Sequence, residues 1–356
     1  MAKKALIAMS GGVDSSVAAW LMKKQGWDCI GVTMRLFDND DAYLDREKTC
    51  CSLNDVEDAR SVAARIGIPY YVFNFKENFK AKVMAPFVQS YRQGMTPNPC
   101  IACNRYLKFE HLYLRAEILG CQTIVTGHYG RIIQDEKGYH LLKGKDRSKD
   151  QSYVLYSLTR QQLAHTCFPL GEYSKEEIRQ IAEDQGFLNA RKKDSQDICF
   201  IPDGDYRTFI EKATGTKSVP GDFLDKEGNV LGRHRGYYCY TIGQRRGLGI
   251  PAAHRLFVTD IIPEKNQVIL GTNEDLMGQD LIAGDCNWIE EIDPEEIIKA
   301  RIRYHQTETE VSVCLKEDDC AQVHFLEPQR AITPGQAVVF YRGDTVVGGG
   351  TILRRI

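Results

Sequence analysis

The chain lacks long apolar runs. Behind Lys3 and Lys4 only five apolar residues, Ala5 to Met9, precede the polar Ser10, too few for a secretory core, and no later stretch approaches a membrane span. A water-soluble, cytoplasmic protein without membrane partners is expected. Two common nucleotide signatures are also missing: no glycine loop ends in Gly-Lys-Ser/Thr, and no Gly-x-Gly-x-x-Gly follows a strand. Internal repeats and low-complexity tracts are absent as well. A net charge of -2 gives no bulk preference for nucleic acid. Twelve cysteines without a secretory signal argue against a disulfide scaffold and for reduced thiols, some of them catalytic or metal-binding. At 356 residues, 43% hydrophobic and 26% charged, the composition fits two or three globular domains.

What is present begins with Ser10-Gly11-Gly12-Val13-Asp14-Ser15-Ser16, set between an apolar strand (Ala5 to Met9) and a helix marked by Val13, Val17, Trp20 and Leu21. Two glycines let backbone approach an anion, the N–H groups of a first helical turn are unpaired, and three serines add donors. The stretch resembles the SGGxDS loop of the N-type ATP pyrophosphatases, which grips the β and γ phosphates. Holding the terminal pyrophosphate makes it the leaving group, so a substrate oxygen attacks the α phosphorus and is adenylylated. The competing reading is a serine-glycine turn that caps an ordinary helix.

Strands and helices then alternate: Cys29 to Met34 as a strand, Asp55 to Ile66 as a helix and Tyr70 to Phe75 as a strand. A helix from about Phe109 to Leu119 follows, then the strand Thr123 to Thr126 leading into Gly127-His128. This predicts a parallel α/β sheet whose strand ends gather the Ser10 loop, Met34 and Gly127-His128 in one crevice. Ser174 and Glu177 form a capping box. From Tyr206 the pattern becomes glycine-punctuated short strands, and from about Leu281 alternating strands such as Val311 to Leu315 and Ala337 to Tyr341 read as a small barrel. The expected divisions are a catalytic domain over 1–205, a central β-rich domain over 206–280 and a C-terminal barrel over 281–356. Lys143 to Lys149, Arg191 to Lys193 and Arg233 to Arg246 form basic clusters, the last interleaved with Tyr237, Tyr238 and Tyr240, a pairing that suits RNA although each is also readable as a solvated face.

Three further constellations stand out. Thr96-Pro97-Asn98-Pro99-Cys100-Ile101-Ala102-Cys103-Asn104 is a proline-stiffened, exposed loop before a helix, where a helix N-terminus is expected to lower the pKa of Cys100 or Cys103. Asp194 to Ile201 is a polar turn leading into Cys199. Lys149-Asp150-Gln151-Ser152-Tyr153 is expected to open a helix.

Taken together with TGHY, KDQSYVL, SQDICFI, YTIGQRRGLGI, RIRY and TPGQAVVFY, these motifs make the chain resemble the tRNA-specific 2-thiouridylases over essentially its whole length. The resemblance implies ATP-dependent adenylylation of the C2 carbonyl oxygen of the wobble uridine at tRNA position 34. Sulfur then displaces AMP, having come from a cysteine desulfurase or a relay protein. It places Ala8, Met9, Ser10, Gly11, Gly12, Val13, Asp14, Ser15, Ser16, Met34 and Gly127 at ATP, with Asp14 helping to set magnesium on the phosphates. Asn98, Pro99 and Cys100 would meet the target base, and His128, Lys149, Asp150, Gln151, Arg303, Tyr304 and Gln336 the tRNA. Cys199 would carry a persulfide. Cys103 would be its acid or nucleophile partner, forming a disulfide with it after transfer.

Many relatives carry an acidic residue at the place of Cys100. Here the loop is Cys-x-x-Cys, so Cys100, Cys103 and Cys199 suffice to ligate an iron–sulfur cluster, and this reading is set slightly above the persulfide relay. A zinc half-site competes with both. Cys50-Cys51 is vicinal and left out. Two other classes remain open: a synthetase that adenylylates a small metabolite with the same loop, and a non-enzymatic RNA-binding protein with a metal clip.

Overall fold

A computed structural model describes residues 3–38, 53–192, 198–293 and 295–356. The chain divides into two compact units. The first comprises Met1–Met84, Pro99–Gly204 and Asp344–Val346; the second comprises Ala85–Asn98, Asp205–Gly343 and Val347–Ile356.

The first unit is built on a five-stranded parallel sheet. Its strands are β1 (Lys4–Ala8), β2 (Asp28–Arg35), β3 (Tyr70–Asn74), β4 (Thr123–Val125) and, after a β5 (Gly130–Asp135) to β6 (Gly138–Lys143) hairpin, the two-residue β7 (Thr166–Cys167). The order β3-β2-β1-β4-β7 puts Leu6 opposite Ile30 and Ile7 opposite Val125. Strands as apolar as KALIA are covered on both faces, the usual condition of a parallel sheet. Helix α1 (Val13–Lys24) buries Val17, Ala18 and Met22, and Val62 of helix α2 (Leu53–Ile66) and Ile178 of helix Lys175–Asp184 join the same core. Strand order reverses at β1, so the loops after β1 and β4 flank the crevice where such sheets bind ligands. The mixed α/β class with a parallel N-terminal sheet is therefore as expected.

Two expectations for this unit change. Lys149 to Tyr153 opens no α-helix. Only a 3-10 turn, Ser152–Val154, forms, because the Asp150 carboxylate accepts from Gly144 N (3.0 Å), Ser152 N (3.1 Å) and Ser152 Oγ (2.7 Å) and folds the segment upon itself. The helix expected from Phe109 starts earlier, as a short α-helix Pro99–Ala102 followed by a π-helical stretch Cys103–His111 and α-helix Leu112–Ile118.

In the second unit Tyr206 begins a helix, Tyr206–Thr214, and not a strand. Asp205 caps it by accepting from Thr208 N, and Gly215 ends it in the left-handed region (φ 66°). The glycine-rich strands follow: β8 (Gly221–Leu224), β9 (Val230–His234), β10 (Phe257–Ile262) and β11 (Gln267–Gly271), ordered β10-β11-β8-β9 around Phe223, Tyr240, Val258 and Val268. Strands β12 (Met277–Trp288), β13 (Ile298–Arg301), β14 (Thr309–Leu315), β15 (Ala321–Arg330), β16 (Ala337–Arg342) and β17 (Thr345–Arg355) close into a six-stranded barrel, since β12 pairs with both β15 and β17. Closure leaves these six strands no open end, and the β5–β6 hairpin joins the same sheet at β17 through Leu142 and Thr345. Val311, Val313, Val323 and Phe340 point into its core, where Trp288 stacks on Phe340 at 5.2 Å between ring centroids.

The Thr96 segment is clamped within the second unit. Thr96 N donates to Pro334 O (2.9 Å), Gln336 Nε2 donates to Thr96 O (2.7 Å), and Gly335 at φ 89° passes so close that a Cβ would lie 2.9 Å from Thr96 backbone atoms. Gly335→Ala is expected to cost about 1–3 kcal/mol, the scale of a strained backbone position. Gly343→Ala, also at positive φ (60°) but in open space, is expected to cost less, about 1 kcal/mol. Urea midpoints of the two variants check this, and equal losses would mean that the Thr96 contact contributes nothing.

Candidate active site: a phosphate loop and a thiol pair

The loop after β1 is shaped by its own side chains. Gly12 caps α1 in an extended conformation (φ −87°, ψ 161°) and has no side chain to occupy the first-turn N–H groups. Ser15 Oγ and Ser16 Oγ both donate to Gly12 O, at 3.1 and 3.0 Å, and Ser10 N donates to Ser15 Oγ at 3.1 Å. Gly11 is obligatory: it sits at φ 75°, and a Cβ there would fall 2.3 Å from Asp55 O. A Cβ on Gly12, by contrast, would have only Ser10 Oγ nearby, at 3.4 Å. Ala8, Met9, Ser10 and Val13 lie on this strand and loop, and Met34 is near the end of neighbouring β2. Gly127 lies against the loop so closely that a Cβ would be 2.8 Å from Asp14 C and Ser15 N.

Asp14, half-buried, is held in a polar knot. Lys175 Nζ donates to both of its carboxylate oxygens at 2.8 Å, and Tyr129 OH donates to Oδ1 at 2.7 Å. Gln151 sets that tyrosine, accepting from Tyr129 N through Oε1 (3.0 Å) while its own N donates to Tyr129 O (2.8 Å). On the loop's other side Asn189 Nδ2 donates to Gly11 O and to Ser16 Oγ, both 2.9 Å. Lys192 Nζ pairs with Asp58 at 2.7 Å and also reaches Asp55 and Gly11 O.

The thiol pair is also in the first unit. Cys100 lies in helix Pro99–Ala102 and Cys103 opens the π-helical stretch. Burial pushes the Cys103 thiol up from its ordinary pKa, with Lys108 pulling the other way, and the same two effects act on Cys100. Cys100 is exposed at the surface, so water weakens the effect there; for the half-buried Cys103 it stands. Both thiols lie at the start of the helical stretch that begins at Pro99, where a lowered pKa is expected; burial, which acts the other way, is the largest effect on Cys103. Lys108, five residues beyond Cys103, is brought near it by the i to i+5 stacking of a π-helix.

Lys108 Nζ also lies 3.5 Å from His128 Nε2, while Thr126 Oγ1 is 2.7 Å from Nδ1. An ammonium only donates, so Nε2 accepts and Nδ1 carries the proton toward Thr126. Burial first, then the Lys108 charge, holds His128 well below its ordinary pKa, between the rings of Phe109 and Phe168.

Cys199 is half-buried, next to Phe200, which packs edge-on against Phe79 (5.6 Å). Asp194 to Asp197, the polar turn before it, and Cys50-Cys51 lie outside the described residues. None of the ten described cysteines forms a disulfide, and among the described residues no three His, Cys, Asp or Glu gather to hold a metal. Cys100, Cys103 and Cys199 as placed do not fit a cluster site, because a cluster needs its thiolates gathered around one centre and the described residues gather no such group.

The remaining expected residues are distributed over both units. Asn98 belongs to the second unit and Pro99 to the first. Lys149, Asp150 and Gln151 lie in the first unit, where the last two brace the fold as described. Arg303 Nη2 donates to Thr333 Oγ1 at 2.5 Å, Tyr304 follows it, and Gln336 holds Thr96, all within the second unit. Reasoning from motifs missed Lys108, Tyr129, Lys175 and Asn189. Tyr129 alone had a signal, as the last residue of TGHY.

A parallel-sheet protein with an SGGxDS loop on an uncapped helix N-terminus belongs to the PP-loop ATP pyrophosphatase class. Residues 3–203 match the family described as tRNA methyl transferase HUP domain, 207–272 the tRNA methyl transferase PRC-barrel domain and 278–352 the aminomethyltransferase beta-barrel domain. Among full-length relatives, the tRNA-specific 2-thiouridylase MnmA of Lachnoclostridium phytofermentans is 51% identical over 99% of this chain and 100% of its own. Those of Clostridium kluyveri (49%, covering 99% of each chain) and Carboxydothermus hydrogenoformans (50%, covering 99% and 98%) are similar to it to the same degree. The chain belongs to the tRNA-specific 2-thiouridylase family. The methyl-transfer wording describes the modules; relatives at half identity bear the thiouridylase name.

Since His128 titrates below its ordinary value of 6.5, the unfolded chain binds more protons below that pH, and stability is lost as pH falls from 6.5 toward the folded pKa. His128→Gln removes that term. Between about pH 7 and pH 5 the variant's urea midpoint should therefore fall less than the wild type's; parallel profiles would place the acid sensitivity elsewhere.

Proposed function

We propose that the protein is a tRNA-uridine 2-sulfurtransferase that uses ATP and magnesium to thiolate the wobble uridine at position 34. The observation that carries the reading is the intact SGGVDSS loop on the uncapped N-terminus of α1, in a chain about half identical to tRNA-specific 2-thiouridylases over their full length. The uridine C2 carbonyl oxygen attacks the ATP α phosphorus and pyrophosphate leaves, its charge met by the first-turn N–H groups and by Ser10, while Ser15 and Ser16 shape the loop through Gly12 O. The terminal sulfur of a Cys199 persulfide then attacks C2, and the C–O bond breaks to release AMP. The Cys103 thiolate attacks Cys199 Sγ, forming a Cys103–Cys199 disulfide and freeing 2-thiouridine, and a thiol reductant resets the pair. A cysteine desulfurase or a relay protein supplies the persulfide sulfur.

The relay is favoured over an iron–sulfur cluster by the absence of a three-ligand group among the described residues, and no step is routed through a cluster. We place Asn98, Pro99 and Cys100 at the base, and His128, Lys149, Arg303 and Tyr304 with the tRNA. The residues that brace the fold, Asp150, Gln151 and Gln336, orient the surfaces around them. Divisions near 205 and 280 are supported by the gaps between the matched family segments. A cytoplasmic setting agrees with ten described cysteines outside any disulfide.

Cys103→Ser and Cys199→Ser should each abolish 2-thiouridine formation while leaving tRNA-dependent ATP–pyrophosphate exchange, and Cys100→Asp should keep both. Exchange that ignores tRNA would favour a small metabolite as the acceptor, and loss of thiolation in Cys100→Asp with visible absorbance in anaerobic wild type would restore the cluster.

Arg245 and Arg246 are exposed beside the Tyr237–Tyr240 segment of the second unit. Replacing both by Ala should weaken tRNA binding and lower the slope of log affinity against log salt by about 0.7–0.9 per lost phosphate contact. An unchanged slope would mean that the pair is only solvated.

A further inference from the structure

A carboxylate is an odd occupant of a loop meant for a triphosphate. At close range an uncompensated Asp14 repels the ligand, and the usual remedy is a divalent cation bound to it. The structure answers the charge differently. Lys175 Nζ spans both oxygens of Asp14 at 2.8 Å, and Tyr129 OH takes a further lone pair of Oδ1 at 2.7 Å. Of the roughly four acceptor positions of a carboxylate, three are used, and its charge is neutralised by a side chain only 7% exposed.

The ammonium is itself fixed in place. Ser174 and Glu177 cap the helix that begins at Lys175, and Lys175 N donates to Asp146 Oδ2 at 3.0 Å, so backbone and side chain are anchored separately. Asp14 is 30% exposed, so this pair meets solvent on the side of the loop.

We propose that Lys175 is the positioning residue of the phosphate loop: its ammonium takes the place on Asp14 that a magnesium ion would otherwise occupy, so Asp14 holds the first turn of α1 and magnesium enters with the nucleotide phosphates. This rests on the ATP reading of the loop and revises the expectation that Asp14 itself sets the metal. Lys175 thereby turns a loop with a built-in negative charge into an anion site before any metal arrives.

The test is equilibrium binding of ATP to the full chain without tRNA or sulfur donor, in excess magnesium and in EDTA. Relative to wild type, Asp14→Asn frees the Lys175 ammonium, so ATP affinity in EDTA should rise and affinity in excess magnesium should be at least that of wild type. Lys175→Met exposes the carboxylate, so affinity in EDTA should fall by about tenfold or more, the scale of one uncompensated like charge, and excess magnesium should restore most of it. Adding Asp14→Asn to Lys175→Met should abolish the new magnesium requirement, and Lys175→Arg should retain wild-type behaviour. The double variant also guards against misfolding, because it removes both charges of a buried pair together.

Equal loss at all magnesium levels in Lys175→Met, unrelieved by Asp14→Asn, would make Lys175 merely structural and overturn the proposal. So would weaker ATP binding in excess magnesium in Asp14→Asn alone. If wild type binds no ATP under either condition, the ATP reading falls and the proposal with it.

Discussion

The pairing of Asp14 with Lys175 and Tyr129 is the interaction around which the first unit is arranged. Asp14 comes from the first turn of α1, Tyr129 from the turn after β4, and Lys175 from the first residue of a helix far along the chain. Three separate excursions from the sheet are thus tied at one carboxylate. Gly127 must be glycine for the β4 turn to come close enough, since any Cβ there would collide with Asp14 and Ser15 backbone atoms. Gln151 then fixes Tyr129 from a fourth segment. A loop that holds pyrophosphate has to be rigid before the ligand arrives, because donors already in place need no reorganisation during reaction.

Local pattern revealed the parts of the fold whose causes are local. The strands Lys4–Ala8 and Asp28–Arg35 are continuous apolar runs, the Ser174–Glu177 capping box lies within four residues, and the phosphate loop is one contiguous motif. What escaped depends on partners distant in sequence. Lys175 is 161 residues from Asp14, and Asn189 is 178 from Gly11, so nothing around either residue announces its role. The helix at Tyr206 was hidden for another reason: its glycine stop at 215 reads equally well as the first of a series of turns between strands.

Motifs shared with a family also hold the fold together. In KDQSYVL, Asp150 satisfies three donors of its own loop and Gln151 braces a tyrosine that reaches the phosphate loop. TPGQ, in the second unit, clamps Thr96 through Gln336. These residues matter to function through geometry. A substitution there would disturb catalysis by displacing Asp14 or the Asn98 segment, even with every contact to tRNA intact.

The thiols show how burial and charge divide a task that spacing alone suggested was simple. A cysteine at a helix N-terminus is activated by the dipole, but Cys103, half-buried near the start of its helical stretch, is pushed up in pKa by desolvation. Lys108 opposes this from five residues on, and no described carboxylate pairs with it. Its charge is left to act on the two thiols and on a histidine that burial keeps neutral. Oxidation follows thiolate character, so burial that disfavours the thiolate also disfavours oxidation of Cys103. Lys108, with no carboxylate partner among the described residues, lowers the cost of making that thiolate. Protection and readiness therefore come from opposing effects at the same sulfur atom, and removing either one alters the other.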